Sequence, residues 1–273
     1  DDVDSFRVTA GTQDGTKVTS GWNKCVGKNL GRSNETSAQE QALAEATSKH
    51  AKKLKEKYKE NLADIDQTTF VKPMLCKIWD DYKDDFQFPC YSQPKLDGQR
   101  AIVHQQGIFS RLGNPVISVP HLFKELESVV KAEGVIFDGE LYCNKFKHDF
   151  NAIVSLTKKT KPTQEDLHES ARWIEYWVYD LVDEELDFKR RFDKLQAIFK
   201  KYNFDKVVIV QTQFVTEHKT LDETYAQYLQ AGFEGQIIRN PNAKYQRKRT
   251  KDILKRKEFQ DAEFIIRDII EGD

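Results

Sequence analysis

The chain has 273 residues, of which 38% are hydrophobic and 32% are charged, and its formal net charge is −1. This length suits one large domain or two modest ones, and the near-zero net charge gives no global sign of a nucleic-acid partner. Four scattered cysteines without a C-x-x-C pair argue against a structural zinc site. Without a secretion signal or an apolar run of roughly 20 residues, we expect an intracellular protein with no membrane partner.

Residues 1–66 are predicted to form a small module of their own. Alternating residues over 5–27, around an Asp-Gly turn signal at 14–15, predict a β-hairpin. Thr36 is the predicted cap of a helix that begins near Ser37. The apolar stripe of this helix would consist of Ala42, Leu43, Ala46 and Leu54. The lysine-rich end of the helix fits two interpretations, a solvated helix face or a DNA-contacting surface.

Residues 67–259 are predicted to form the main domain. Short strands and helices follow one another there without regular β-α alternation, which predicts an α+β fold. The better strand candidates are 100–111, 135–143, 173–182, 207–215, 235–239 and 252–259. Helices are predicted around 120–131, 164–171, 186–201 and 220–231.

The most informative motif of this domain is the segment from Lys95 to Arg100, which reads KLDGQR. If the segment is extended, Lys95 and Asp97 share a face. Gly98 then allows close approach by a ligand, and Arg100 supplies a permanent cation. A lysine must be uncharged to act as a nucleophile, so a reactive one needs burial or neighbouring cations. Alone, the motif also fits a strand that ends in a glycine turn between solvated cations.

Further candidate residues follow in chain order, each within a short predicted strand or at its end. They are Arg111 after Ser110, Glu140 in VIFDGELY, Tyr179 in YWVYDL, Glu234 in FEGQIIR, and Lys255 with Lys257 in ILKRKEF. Period-two alternation places the last two lysines on one strand face. Taken singly, each residue has an ordinary structural interpretation, such as a surface cation or a core aromatic.

In this order, the motifs resemble those of the covalent nucleotidyltransferases, which include ATP-dependent DNA ligases, RNA ligases and mRNA capping enzymes. The string LKRKEFQDAEF lacks the tryptophan typical of capping enzymes and looks most like the adenylation domain of an ATP-dependent DNA ligase. The resemblance covers most of residues 70–259. It implies a nucleotidyltransferase (ATP-grasp-like) core of antiparallel sheets flanked by helices, preceded by the hairpin-plus-helix module.

The resemblance also implies a chemistry and a set of roles. Lys95 would attack the α-phosphorus of ATP to form lysyl-AMP with Mg²⁺ or Mn²⁺, and AMP would pass to the 5′-phosphate of a DNA nick before the strand is sealed. The implied catalytic residues are Lys95, Asp97 and Lys257. The implied ATP-binding residues are Gln93, Lys95, Arg100, Glu140, Tyr179, Glu234, Lys255 and Lys257, with Glu140 and Glu234 as metal ligands. Gln93 stands where many ligases carry glutamate, which leaves its role in base selection open.

Contacts with nicked double-stranded DNA are expected from Arg111, near the 5′-phosphate, and from Arg247, Lys248 and Arg249. For the last three a solvated loop is an equal alternative.

In the family an OB-fold follows the lysine pair, and residues 260–273 resemble its first strand. We therefore expect slow self-adenylation and poor nick sealing. Separately, we expect a monomer that acts in the cytoplasm, in the nucleus or inside the host of a virus or phage. An RNA ligase, a capping guanylyltransferase and a non-catalytic DNA-binding scaffold remain as alternatives.

Overall fold

The computed structural model describes residues 4–11, 15–55 and 71–258. Its internal contacts divide the chain into two units, residues 1–69 and 70–273, and each unit is described by itself. The predicted OB-fold strand at 260–273 lies outside the described residues, as does Asp14 of the predicted turn. The predicted domain boundaries at 66 and 259 stay predictions.

The first unit has two short antiparallel strand pairs where one hairpin was predicted. Strand β1 (Ser5–Phe6) pairs with β4 (Asn23–Lys24), and β2 (Thr9–Ala10) pairs with β3 (Val18–Thr19). Helix α1 (Ala38–Lys55) follows them.

The cap of α1 is Ser37 and not the predicted Thr36. The Ser37 hydroxyl accepts a hydrogen bond from the Glu40 amide at 3.2 Å, and the Glu40 carboxylate accepts one from the Ser37 amide at 2.8 Å. This reciprocal arrangement is a capping box. The predicted apolar stripe is correct at Ala42, which is buried, but wrong at Leu43 and Leu54, which are 69% and 39% exposed.

The second unit contains two five-stranded sheets. Their strands are β5 (Leu75–Ile78), β6 (Cys90–Lys95), β7 (Gln99–His104), β8 (Gly107–Ser110), β9 (Phe137–Tyr142), β10 (Glu175–Leu181), β11 (Val207–Ile209), β12 (Gln213–Val215), β13 (Gly235–Arg239) and β14 (Arg249–Lys257). The strand order is β11-β10-β9-β7-β8 in the first sheet and β12-β6-β13-β14-β5 in the second. Each sheet is antiparallel except for one parallel pair at its edge, β10 with β11 and β14 with β5.

Five α-helices accompany these strands in the described part of the unit. They are α2 (Pro120–Glu133), α3 (Phe150–Thr157), α4 (Gln164–Trp173), α5 (Phe188–Lys201) and α6 (His218–Gln230). The α+β class is thereby confirmed. Helix α3 was not predicted, because its sequence FNAIVSLT is short and partly β-branched. It forms because the Asp149 carboxylate caps it, accepting from the Ala152 amide, and because Ile153 is fully buried.

Two predicted strands are divided in the structure. Residues 100–111 form the hairpin β7–β8, and residues 207–215 form β11 in the first sheet and β12 in the second. The main core lies on the first sheet, where fully buried side chains such as Leu126 of α2, Phe137 of β9 and Leu195 of α5 pack together. Burial of such side chains stabilises the fold by roughly 1.5–3 kcal/mol each. Among the described helices, none is both long and apolar enough to cross a membrane.

The chain crosses from the second sheet to the first between β6 and β7. Only residues 96–98 separate these two strands, so the ends of both sheets lie close together at this point. The KLDGQR motif occupies this crossing. The fold therefore places Lys95 at the end of one sheet and Arg100 at the start of the other.

Candidate active site

A cavity of about 670 Å³ lies where the two sheets meet. Its lining comes from strands of both sheets and from two loops. The lining residues that were predicted as site residues are Gln93, Lys95, Arg100, Arg111, Glu140 and Tyr179. A cavity of this size is within the range of small-molecule sites.

Lys95 belongs to a cluster of charged side chains at the sheet crossing. The Lys95 ammonium contacts the carboxylate of Glu234, and the Lys257 ammonium donates to the other oxygen of that carboxylate at 3.0 Å. The strand register explains this arrangement, since Gly235 of β13 lies opposite Lys95 of β6 on one side and opposite Lys257 of β14 on the other. The three side chains are 20–30% exposed, so the cluster is open to a ligand.

Two glycines permit this close packing. A Cβ atom on Gly235 would overlap the carbonyl oxygen of Arg256 on β14, and a Cβ atom on Gly98 would overlap that of Leu141 on β9. The Gly98 position would also meet Cγ of Glu140 at 2.8 Å. Side chains at these positions would therefore push apart the strands that carry the cluster.

The carboxyl groups near Lys95 differ in protonation. Burial raises the pKa of Glu140 to about 8, although Arg100 and Lys95 oppose the shift. Burial also raises the pKa of Asp97, and the charge of Glu234 adds to this effect. Burial alone would raise the pKa of Glu234, but its contacts with Lys95 and Lys257 outweigh that and lower the pKa below its usual value. Ionised Glu234 is thus the carboxylate that holds both lysines.

Tyr179 is placed at the cavity by a β-bulge in β10. The pairing of β10 with β9 shifts between Val178 and Asp180, so Tyr179 has no partner residue on β9. A bulge of this kind changes the direction of the side chain at the unpaired residue. Its hydroxyl donates to the Gly139 carbonyl at 3.2 Å and lies 3.3 Å from the Glu140 carboxyl. Burial raises the pKa of Tyr179 well above its usual value, which keeps the hydroxyl a donor. Tyr179 lines the cavity.

Arg100 has a buried partner, Asp138. The guanidinium donates two hydrogen bonds to that carboxylate, at 2.9 Å from Nε and 2.6 Å from Nη2. The Tyr245 hydroxyl donates to the same carboxylate at 2.7 Å. Asp138 is fully buried, whereas the Arg100 side chain remains 15% exposed and lines the cavity. Asp138 therefore fixes the orientation of a cation that a ligand can reach.

The side chain of Gln93 is buried, and both its amide nitrogen and its amide oxygen are hydrogen-bonded. Its amide nitrogen donates to the Tyr179 carbonyl at 3.1 Å and to the Thr212 hydroxyl at 2.9 Å. Its amide oxygen accepts from Arg239 at 2.7 Å. Gln93 thus ties the second sheet to the strand that carries Tyr179.

Arg239 and Asp180 were not predicted as site residues, yet they organise the wall behind the cavity. Asp180 accepts hydrogen bonds from Arg239 at 2.7 Å and from Arg191 at 2.8 Å, and all three side chains are at most 4% exposed. The Arg239 guanidinium lies 5.4 Å from the ring centre of Tyr179. In the sequence, these two residues could have been found as charged side chains inside otherwise apolar strand segments. Such charges are rarely buried without a partner.

Lys158 and Lys159 were also missed. They follow α3 and line the cavity together with Arg111. The end of α3 is held by hydrogen bonds from Thr157 to Gln99 at 2.8 Å and from Ser118 to the Thr157 carbonyl at 2.7 Å. Lys159 pairs with Asp166 at 2.5 Å. In the sequence, these residues could have been noticed as a pair of lysines directly after the apolar segment FNAIVSLT.

Lys255 lies on the same strand face as the cavity lining. It is opposite Ile237 of β13, which in turn is opposite Gln93 of β6, and both of these residues line the cavity. Because alternate residues share a face, Lys257 lies on this side too. The predicted two-lysine pair is thus formed on one face of β14.

The three predicted DNA contacts at 247–249 are at the other end of β14, roughly 20 Å or more from Lys257. Arg247 forms an ion pair with Glu184 at 3.1 Å, and Arg249 donates to the Cys76 carbonyl. The structure therefore does not bring these residues to the Lys95 cluster, whereas it does bring Arg111 to the cavity.

Glu140 and Glu234, the predicted metal ligands, carry carboxylate groups, which are a ligand type that divalent cations such as Mg²⁺ accept. Mg²⁺ is commonly held by one or two carboxylates together with substrate phosphates. The described residues include no cluster of three or more histidines, cysteines or acids suited to a metal, so substrate oxygens would have to complete the shell.

Comparison with known proteins identifies the family. A family model described as the ATP dependent DNA ligase domain matches residues 73–257. The DNA ligase of African swine fever virus (isolate Warthog/Namibia) is 28% identical over 98% of this chain and 64% of that protein. The DNA ligase of Enterobacteria phage T6 is 25% identical over 71% of this chain and 50% of that protein. The chain thus spans about half to two thirds of the length of these relatives.

The fold has a solved counterpart. The crystal structure of Chlorella virus DNA ligase-adenylate superposes with a TM-score of 0.56, covering 71% of each chain at 24% identity. This similarity bears on the fold, while the family match covers most of the second unit. On that match, the chain belongs to the ATP-dependent DNA ligase family.

Proposed function

We propose that this chain is the catalytic core of an ATP-dependent DNA ligase in which Lys95 forms a covalent lysyl-AMP intermediate. The observation that carries the proposal is the contact of Lys95 with Glu234, and of Glu234 with Lys257, at the edge of a nucleotide-sized cavity. An amine, a carboxylate and a second cation thereby meet where a phosphate can enter.

In the first step the Lys95 ammonium gives one proton to solvent, and the resulting uncharged amine attacks the α-phosphorus of ATP. A nitrogen–phosphorus bond forms, the bond from the α-phosphorus to the pyrophosphate oxygen breaks, and the amine releases a proton. Glu234 is the carboxylate in contact with the amine and is placed to take a proton from it. Lys255 and Lys257, on one face of β14, would balance the charge of the departing pyrophosphate. Asp97 would help to orient the lysine.

The adenosine would bind along the cavity. Tyr179 would stack on the purine, and Arg100, oriented by Asp138, would contact the ribose. Because both N–H donors of the Gln93 amide are used and its oxygen accepts from Arg239, we assign base contacts at this strand to its backbone and assign the side chain a positioning role.

Glu140 and Glu234 would hold Mg²⁺ or Mn²⁺. When bound, the ion would supply positive charge to the phosphates and so stabilise the transition state. The protein side chains would bind the nucleotide and orient the Lys95 amine toward the α-phosphorus.

The later steps concern nicked DNA. AMP would pass to the 5′-phosphate of the nick, and the adjacent 3′-hydroxyl would displace AMP and seal the strand. Arg111 and Lys158 at the cavity rim, and the more remote 247–249 segment, would contact DNA phosphates. Sealing is part of the proposal, because the chain spans only 64% and 50% of the lengths of the two DNA ligase relatives. The intracellular location and the monomeric state stay predictions.

The test is adduct formation with α-labelled ATP and Mg²⁺, followed by a denaturing gel. We expect a labelled band for the wild-type chain, none for Lys95→Ala, and an unchanged band for Lys200→Ala, which alters an exposed lysine on α5. A labelled band that persists in Lys95→Ala would overturn the assignment of the nucleophile. Labelling by GTP in place of ATP would indicate a capping enzyme, and failure to label with any nucleotide would favour the scaffold.

A further inference from the structure

The segment between β13 and β14, residues 240–248, carries a buried tyrosine, Tyr245. Its hydroxyl accepts a hydrogen bond from the Met74 amide at 3.0 Å and donates to the Asp138 carboxylate at 2.7 Å. A phenol has a single proton to donate, and here the carboxylate receives it. Burial raises the pKa of Tyr245 well above its usual value, so the hydroxyl keeps this proton at neutral pH.

Tyr245 is held in place by contacts on both sides of it along the chain. On one side, the Arg191 guanidinium donates to the Ala243 carbonyl at 3.0 Å, and it also lies 5.5 Å from the ring centre of Tyr245. On the other side, the Gln246 amide donates to the Asp252 carboxylate of β14 at 2.6 Å. The hydroxyl of Tyr245 therefore approaches Asp138 from a fixed position.

The Asp138 carboxylate connects Tyr245 to the cavity. Its Oδ2 atom accepts from the Tyr245 hydroxyl and, at 2.6 Å, from Nη2 of Arg100, while its Oδ1 atom accepts from Nε of Arg100 at 2.9 Å. Asp138 is fully buried, so water cannot readily replace a donor that is lost. Removing the Tyr245 hydroxyl would take away one of the hydrogen bonds that stop this carboxylate from rotating, and the Arg100 guanidinium would turn with it.

We propose that Tyr245 is a positioning residue for nucleotide binding, which acts through Asp138 on the orientation of Arg100. This inference rests on the proposed function, in which Arg100 contacts the ribose of ATP. The ribose is not among the reacting atoms, so this contact contributes equally to the ground state and to the transition state. Loss of the Tyr245 hydroxyl should therefore weaken ATP binding and leave the rate of the chemical step nearly unchanged.

The first test is single-turnover labelling with α-labelled ATP at increasing concentrations. In Tyr245→Phe, the ATP concentration for half-maximal rate should rise about fivefold, and the maximal rate should stay within about twofold of wild type. The matched control is Tyr228→Phe, because Tyr228 is buried too and its hydroxyl donates to the Ser92 carbonyl at 3.2 Å. Both quantities should change less than about twofold in this control. An unchanged half-saturating concentration in Tyr245→Phe, or an equal rise in the two variants, would overturn the proposal.

The second test combines Tyr245→Phe with Arg100→Lys, which keeps a cation beside Asp138 but loses the planar fork of the guanidinium. If Tyr245 acts through Arg100, adding Tyr245→Phe to Arg100→Lys should raise the half-saturating ATP concentration by less than about twofold. In urea unfolding, the two substitutions should deviate from additivity by a factor of about five or more in the folding equilibrium constant, whereas Tyr228→Phe should be additive with Arg100→Lys. Additive effects of Tyr245→Phe would overturn the proposal.

The unfolding measurements need no nucleotide, so the two proposals are tested separately. Absence of labelling in the wild-type chain would count against the ligase function. Additivity in unfolding would count against the action of Tyr245 on Arg100, whether or not the chain is labelled.

Discussion

Strand β13 has a cluster of ion pairs at each end, and the two clusters differ in how much water reaches them. At its start, Glu234 joins Lys95 and Lys257, and the three side chains are 20–30% exposed. At its end, Arg239 joins Asp180, which also binds Arg191. We call the first the open cluster and the second the buried cluster, since its side chains are at most 4% exposed.

The difference in burial separates a functional site from a structural one. In the buried cluster, each charge depends on its partners, because a buried charge without a partner is strongly unfavourable. Asp180 belongs to the first sheet and Arg239 to the second, so the buried cluster also joins the sheets. In the open cluster, water screens the charges and a phosphate can replace the carboxylate as the partner of the lysines. Changes in the two clusters should therefore affect different measurements.

The largest expected effect is loss of stability when the buried cluster is broken. Asp180→Asn removes the charge that Arg191 and Arg239 share, and we expect the free energy of unfolding to fall by about 3–5 kcal/mol. Urea unfolding followed by circular dichroism measures this change. A loss below about 1 kcal/mol would show that the buried charges do not depend on Asp180.

Breaking the open cluster should instead impair catalysis. Glu234→Gln keeps the shape but removes the charge that holds Lys95 and Lys257, and we expect adduct formation to slow about 100-fold, which is about 2.7 kcal/mol in the barrier. Stability should change by less than about 1 kcal/mol, since these pairs are partly exposed. Single-turnover labelling and urea unfolding on the same sample test both expectations. A stability loss as large as that of Asp180→Asn would remove the distinction between the clusters.

The raised pKa of Glu140 sharpens the comparison through pH. Between its ordinary value of 4.5 and about 8, the unfolded chain is ionised at this residue while the folded chain keeps the proton. The folded state therefore binds more protons, and its stability falls as pH rises through this range, by up to about 1.4 kcal/mol per pH unit. Glu140→Gln should remove this contribution. The measurement is the difference in unfolding free energy between wild type and variant at several pH values, and a difference that is constant with pH would contradict the prediction.

The smallest effect is expected for a surface pair. Glu127 and Lys131 pair at 2.6 Å along α2, and their side chains are 45% and 57% exposed. Glu127→Gln should lower the unfolding free energy by about 0.5 kcal/mol or less and leave adduct formation unchanged. This variant is the control for Asp180→Asn in the same unfolding experiment. A loss above about 1 kcal/mol would mean that exposure is a poor guide to the energy of ion pairs in this protein.

Much of the active-site composition was predictable from short motifs. The KLDGQR segment, the glutamates at 140 and 234 and the lysine pair on β14 were predicted as site residues because, in this order, they resemble the motifs of the family. Strand alternation and glycine positions are local properties, so they could be read from each motif separately. Helix α3 was missed because its local signals are weak and its stability comes from the burial of Ile153. The stripe on α1 was misjudged at Leu43, because periodicity alone does not tell how wide a surface the neighbouring strands cover.

The sequence by itself determined the α+β class and the order of the motifs. It also determined which residues of a motif share one face of a strand. Only the tertiary structure decided that Glu234 binds two lysines from different strands and that Gln93 bonds with Arg239, Thr212 and the Tyr179 carbonyl. The physical reason is that propensity and periodicity act over a few residues. The partners of a charge, and the water around it, depend on strands that are far apart in the chain.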